Sequence, residues 1–124
     1  MAESATRSQT VPMGRPRRSL ADRQLMRDVG QRLRWVREAR GMTQAEIASL
    51  VGLSDSAWSL YERGLRFPDA FEATRLLAKL RISREYLLEG KLVGVEAGLA
   101  IRLAAAHPHL AKTIGMAPDT DMAG

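Results

Sequence analysis

The 124-residue sequence has no cysteine and only two histidines, and aromatic residues make up 5% of it. Without cysteine there are no disulfides and no thiolate metal sites, so the chain suits a reducing compartment such as the cytoplasm. No apolar run reaches membrane-spanning length before a charge interrupts it, and residues 1–20 lack the apolar block of a secretory signal. A glycine-rich phosphate loop and a paired-carboxylate motif are absent too. The histidines, His107 and His109, stand in "HPH". Pro108 is expected to make an extended turn there with no third ligand near, so the stretch reads as a surface turn rather than a metal site. Asp119 and Asp121 read as solvated. The expectation is a non-enzyme with no catalytic residue, no metal, no cofactor and no evident small-molecule ligand.

What the chain does have is arginine. Its 19 Lys and Arg against 14 Asp and Glu give a net charge of +5, and Lys79, Lys91 and Lys112 are the only lysines. The charge is front-loaded: +3 over residues 1–28, +2 over 29–90 and zero over 91–124. Guanidinium groups grip phosphate bidentately, so this balance favours a polyanionic partner, although a basic soluble surface alone would look the same. With 45% hydrophobic residues the chain can bury the core of one domain.

Residues 1–18, "MAESATRSQTVPMGRPRR", show almost no apolar periodicity and read as a flexible basic arm. Order is expected from "SLAD", where Ser19 and Asp22 have capping-box-like spacing. In "DVGQRLRWVREARG", Val29, Leu33 and Val36 recur at helical intervals and Gly41 supplies the stop. Arg32, Arg34 and Arg40 around them read as a solvated face, and Trp35 is either partly buried or an interface residue. Thr43 and Glu46 form a capping box for a short second helix, with Ile47, Ala48, Leu50 and Val51 inward. Gly52 permits a sharp turn, Ser54 can cap, and a third helix over 55–63 buries Trp58 and Tyr61. A fourth helix follows Pro68, with Asp69 and Glu72 as a capping box and Phe71, Leu76, Leu77 and Leu80 as core candidates. "ISREYLLEG" is a fifth, capped by Ser83, with Tyr86 and Leu87 inward. A sixth carries Leu99 and Leu103 on one stripe and is interrupted at Pro108.

Two helices joined by a tight glycine turn, the second presenting a polar amino-terminal edge, form a helix-turn-helix pattern. From residue 29 to 90 the sequence resembles the Cro and lambda-repressor-like (XRE-type) helix-turn-helix family. The resemblance rests on "RLRWVREARGMTQAEIA", "VGLSDSAWSLYERG", "RFPD" and "LLAKLRISREYLLEG". It implies an all-α fold: a five-helix lambda-repressor-like domain over 19–90, behind the arm at 1–18. A C-terminal helical extension over 91–115 and a flexible tail over 116–124 complete the chain.

The resemblance further implies a sequence-specific regulator of transcription, prokaryotic or from a phage, that inserts helix 55–63 into the major groove of double-stranded DNA in the nucleoid. Family positions for base edges fall on Ser54, Asp55, Ser56, Ser59 and Leu60. Helix capping accounts equally well for Ser54 and Asp55. Family positions for phosphates fall on Thr43, Gln44, Arg63 and Arg66, and a structural ion pair is implied between Arg37 and Glu62. The arm "GRPRR", with Arg15, Arg17 and Arg18, is similar to short minor-groove hooks, or else adds only sequence-blind attraction. A homodimer is implied because one helix reads few base pairs. Its candidate interface is 86–110, where Leu99, Ile101 and Leu103 lie beyond an apparently complete core, with intramolecular packing as the alternative. Because Asp55 and Leu60 are unusual base readers, a protein-binding adaptor of the same fold, serving RNA polymerase, a toxin or another regulator, is the competing expectation.

Overall fold

The computed structural model describes residues 18–114. Among them are six α-helices and one short 3₁₀ helix, and no strand, so the protein is all-α. The helices are α1 (Leu20–Ala39), α2 (Gln44–Leu50), α3 (Asp55–Glu62), α4 (Ala70–Leu80), α5 (Arg84–Glu89) and α6 (Ala97–Ala106), followed by the 3₁₀ helix Pro108–Thr113. The "SLAD" start and "DVGQRLRWVREARG" are thus one continuous helix, opened by Ser19, whose hydroxyl accepts from the Asp22 N–H at 3.0 Å.

The apolar stripe of α1 is the spine of the molecule. Met26, Val29, Leu33 and Val36 are buried on it, spaced so that every one falls on the same helical face. Against this face pack Ile47 and Ala48 of α2, Trp58 and Tyr61 of α3, Leu76 and Leu80 of α4, and Tyr86 of α5. Each of those helices but α1 is too short to persist alone in water, so their shared burial is what holds them. Gly30 sits within the α1 stripe, where the backbone of α3 passes against it.

Four expectations are corrected. Leu50, assigned to the inward face of α2, is exposed, because Ile47, Ala48 and Val51 already fill that face. Phe71 is 80% exposed, and the first turn of α4 turns Glu72 inward in its place. Arg32 and Arg40 do not form a solvated face: Arg32 donates to the Leu87 carbonyl at 3.1 Å and Arg40 to the Leu80 carbonyl at 2.6 Å. Both guanidiniums thereby satisfy carbonyls that a helix terminus leaves without partners. Arg34 alone is the exposed member, paired with Glu38 at 3.0 Å. Pro108 opens the 3₁₀ helix rather than an extended turn.

The chain beyond Gly90 closes over the open end of α1. Leu92, Leu99, Leu103 and Leu110 are all in the shared core, so the Leu99–Leu103 stripe is spent inside the molecule while Ile101 stays 64% exposed. Backbone ties fix this segment: Ser83 Oγ donates to the Val93 carbonyl at 2.7 Å and the Leu92 N–H donates to Thr113 Oγ1 at 2.8 Å. Trp35 is half-buried beneath it, stacked on His107 with ring centroids 4.0 Å apart and met edge-on by His109. Burial, and next to it the charge of His109, hold the His107 imidazole below its usual range.

Candidate nucleic-acid interface

The second and third helices are joined by a turn that the sequence dictates locally. Thr43 and Glu46 close the capping box: the Glu46 N–H donates to Thr43 Oγ1 at 3.1 Å and the Thr43 N–H to Glu46 Oε1 at 2.8 Å. At the far end of α2, Gly52 adopts φ +74°, which an L side chain resists. That angle lets Leu53 N–H reach back to the Ala48 carbonyl at 2.8 Å, a Schellman closure. Ser54 then caps α3 by accepting from the Ala57 N–H at 3.1 Å.

This geometry fixes which face of α3 points outward. Ala57, Trp58 and Tyr61 are buried, leaving Ser54, Asp55 and Ser56 exposed and Ser59 and Leu60 half-buried. The five residues named for base edges therefore share one outward edge, and Thr43 and Arg63 at its flanks are exposed as well. Helix α3 itself carries no lysine or arginine.

Two carboxylates hold α3 in place. Glu62 accepts from Arg37 Nε at 2.6 Å, from Arg37 Nη2 at 3.2 Å, from Trp58 Nε1 at 2.5 Å and from Gln44 Nε2 at 2.9 Å. It thus binds together α1, the start of α2 and α3, with only 6% of its side chain exposed. Burial alone would push its carboxyl up, but donation from Arg37, Trp58 and Gln44 overrides that and holds it below the usual carboxylate range. Arg37 is raised in turn, chiefly by its hydrogen bonds to Glu62.

The second carboxylate is Glu72, buried in the first turn of α4. It accepts from Tyr61 Oη at 2.5 Å, from the Asp69 N–H at 3.1 Å and from Arg66. Arg66 also lies over the Tyr61 ring, 5.5 Å from its centroid. Burial, with donation to Glu72, pushes the Tyr61 phenol far up. Of the residues named for phosphates, then, Gln44 and Arg66 each spend part of their side-chain donor set inside the protein, and Thr43 spends its N–H on Glu46, while Arg63 is exposed at the end of α3. Arg18 is exposed where the described chain begins; Arg15 and Arg17 lie outside the described residues.

Sequence reading missed Glu72 as an anchor and Arg75, whose Nε donates to the Val51 carbonyl at 3.3 Å beside the turn. The capping-box spacing of Asp69 and Glu72 marked where α4 starts. It carried no signal that the carboxylate also reaches Tyr61, which is eleven positions earlier. Among the described residues no group of three His, Asp or Glu is placed to hold a metal ion, and no helix is long and apolar enough to cross a membrane.

The depressed Glu62 carboxyl has a consequence for acid stability. A group with a lowered folded-state pKa contributes stability that is present above its unfolded value and is lost as pH falls through the folded value. Thermal midpoints should therefore fall slightly from about pH 6.5, as the depressed His107 takes up a proton against its burial, and more steeply below the usual glutamate range, near 4.5, as the Glu62 contribution is lost. Glu62→Gln should flatten that fall, as circular dichroism melts across pH would measure. An equally steep acid decline in the variant would assign it to other carboxylates.

A bundle whose second and third helices meet in a tight glycine turn, with the outer edge of the later one polar and uncovered, is a helix-turn-helix protein. Residues 28–89 match the family described as helix-turn-helix domain, and the chain belongs to that family, in agreement with the Cro and lambda-repressor-like motifs. A SPbeta prophage-derived uncharacterized HTH-type transcriptional regulator, YonR, of Bacillus subtilis (strain 168) is 33% identical over 61 residues. The match takes in 49% of this chain and 56% of that protein, so the chain spans little more than half of its relative. No solved structure matches.

Proposed function

We propose that the chain is a DNA-binding transcriptional regulator that seats the outer edge of α3 in the major groove and acts as a homodimer on a short palindromic site. The observation that carries this is the edge itself: Ser54, Asp55 and Ser56 stand exposed in one row, backed by the buried Trp58 and Tyr61. Family membership and the name of the Bacillus relative support it, as does the net charge of +5.

In this reading Ser54, Ser56 and Ser59 donate to or accept from base edges, Asp55 accepts from a cytosine amino group, and Leu60 meets a thymine methyl. Arg63 and Arg66 clamp phosphates beside the groove, with Thr43 and Gln44 at the start of α2 on the neighbouring backbone. Gln44 keeps one amide hydrogen, and Arg66 most of its fork, for that contact after Glu62 and Glu72 are served. Arg15, Arg17 and Arg18 of the arm add attraction in the minor groove. The protein is cytoplasmic, in the nucleoid.

Affinity for a random-sequence duplex should fall steeply as salt rises, because each neutralised phosphate releases counterions. Arg63→Ala should weaken binding to all sequences alike and lessen the log–log salt slope by about 1, whereas Ser56→Ala should alter preference among sites selected from a random pool. Equal effects of both on preference would contradict these roles. The second reading, a protein-binding adaptor, is favoured by one feature: the exposed charge on the outer edge of α3, Asp55, is acidic, with the apolar Leu60 on the same edge. It requires negligible duplex binding at every salt concentration.

A further inference from the structure

On the flank of the molecule, α4 and α5 enclose a groove of about 400 Å³. Phe67, Ala73, Leu77, Leu87 and Leu88 form its apolar walls, and Asp69 and Arg84 stand among its lining residues with opposite charge. Phe67, Leu77 and Leu88 pack on the core from one side and stay half-buried on the other. Next to the groove, on the first turn of α4, Phe71 is 80% exposed. An uncovered aromatic beside an uncovered apolar trough is what a surface carries when its cover comes from elsewhere.

We propose that this cover is a second copy of the chain, the Phe71 ring of each protomer entering the α4–α5 groove of the other. The inference rests on the homodimer in the reading above and names its surface. In a two-fold contact each residue meets its counterpart reciprocally, so a patch that is its own partner must offer both a projection and a recess, and both an acid and a base. This one does. Asp69 spends Oδ1 on the Glu72 N–H at 2.8 Å, and Arg84 makes no ion pair among the described residues. Two Asp69–Arg84 pairs across the axis would set the register, with the aromatic rings supplying the affinity. An aromatic side chain buries about 150–250 Å² at such a contact. The groove also leaves the reading edge alone, since none of Ser54, Asp55, Ser56, Ser59 or Leu60 lines it. Leu20, Leu65 and Ile101 are also strongly exposed, at 75%, 62% and 64%, but none of them adjoins in sequence a residue that lines this groove.

Sedimentation equilibrium of the full chain without DNA, from micromolar to millimolar, should give a monomer–dimer equilibrium. Phe71→Asp should raise its dissociation constant by about thirtyfold or more, the effect of losing a central interface anchor. Arg84→Glu, at the favoured acidic first position of α5, should raise it several-fold through repulsion from Asp69. Both substitutions replace exposed side chains, so their melting curves should match the parent's, and Arg84→Glu serves alone if Phe71→Asp does not. A parent that stays monomeric throughout, or a dimer that neither substitution weakens, overturns the proposal whatever the DNA result. Salt-dependent duplex binding by a strict monomer would sink this surface and keep the DNA reading, while a dimer dissolved by Phe71→Asp that never binds duplex would do the reverse.

Discussion

Replacing Gly30 with alanine is expected to lower the thermal midpoint by about 15 °C, the equivalent of about 3 kcal/mol in a domain of this size. An alanine in the interior of a helix ordinarily stabilises by about 0.5–1 kcal/mol over glycine, so the sign is the informative part. A Cβ at Gly30 would stand 2.1 Å from the Tyr61 carbonyl oxygen and 3.0 Å from that of Glu62. Both are backbone atoms of α3, which no rotamer change can move aside. The helices would have to separate, loosening the contacts that hold Trp58 and Tyr61. Gly41 is the control: it has φ +66° and nothing within 4 Å of an added Cβ, so Gly41→Ala should cost only the backbone strain, about 1 kcal/mol. If Gly30→Ala melts at or above the parent temperature, the close approach of α1 and α3 is wrong.

Glu62→Ala is the second large effect. It removes the acceptor of four hydrogen bonds at once and leaves the Arg37 guanidinium, whose side chain is only 18% exposed, without its partner. Breaking one side of a largely buried pair costs about 3–5 kcal/mol, far more than the pair itself contributes. The midpoint should therefore fall by about 15 °C or more, and duplex affinity should drop because Gln44 and α3 lose their common tether. Glu62→Gln, which keeps the shape and one acceptor oxygen but loses the charge and turns an NH2 towards two donors, should lose less than Glu62→Ala but not be neutral. A small loss in Glu62→Ala, measured by denaturant unfolding, would mean that Arg37 reaches water easily and that the network is ornamental.

Helices were legible wherever the determinant was local. Ser19, Thr43, Ser54, Asp69 and Ser83 cap where their side chains face the next turn, and Gly52 turns where only a residue without Cβ turns cheaply. The outward edge of α3 was legible for the same reason, since burying Trp58 and Tyr61 fixes what remains outside. Partners set by tertiary distance were not legible. Arg32 and Arg40 look like any helix-face cations until α5 and α4 bring the Leu87 and Leu80 carbonyls to them. Phe71 illustrates a competition: apolar spacing nominated it for the core, but Tyr61 Oη demands a buried acceptor, and the Glu72 that answers it rotates Phe71 to the surface. The C-terminal stripe misled differently, because the core at Gly90 is complete in pattern but not in area, and α6 covers what is left.

The outer edge of α3 is the surface proposed to meet nucleic acid. An amide NMR titration of the full chain with a random-sequence duplex at low salt tests it most directly. The expected result is shifts concentrated at Thr43 and Gln44, from Ser54 to Leu60, and at Arg63, fading as salt is added. Unshifted α3 amides beside strong shifts on α4 and α5, or no shifts anywhere, would contradict it.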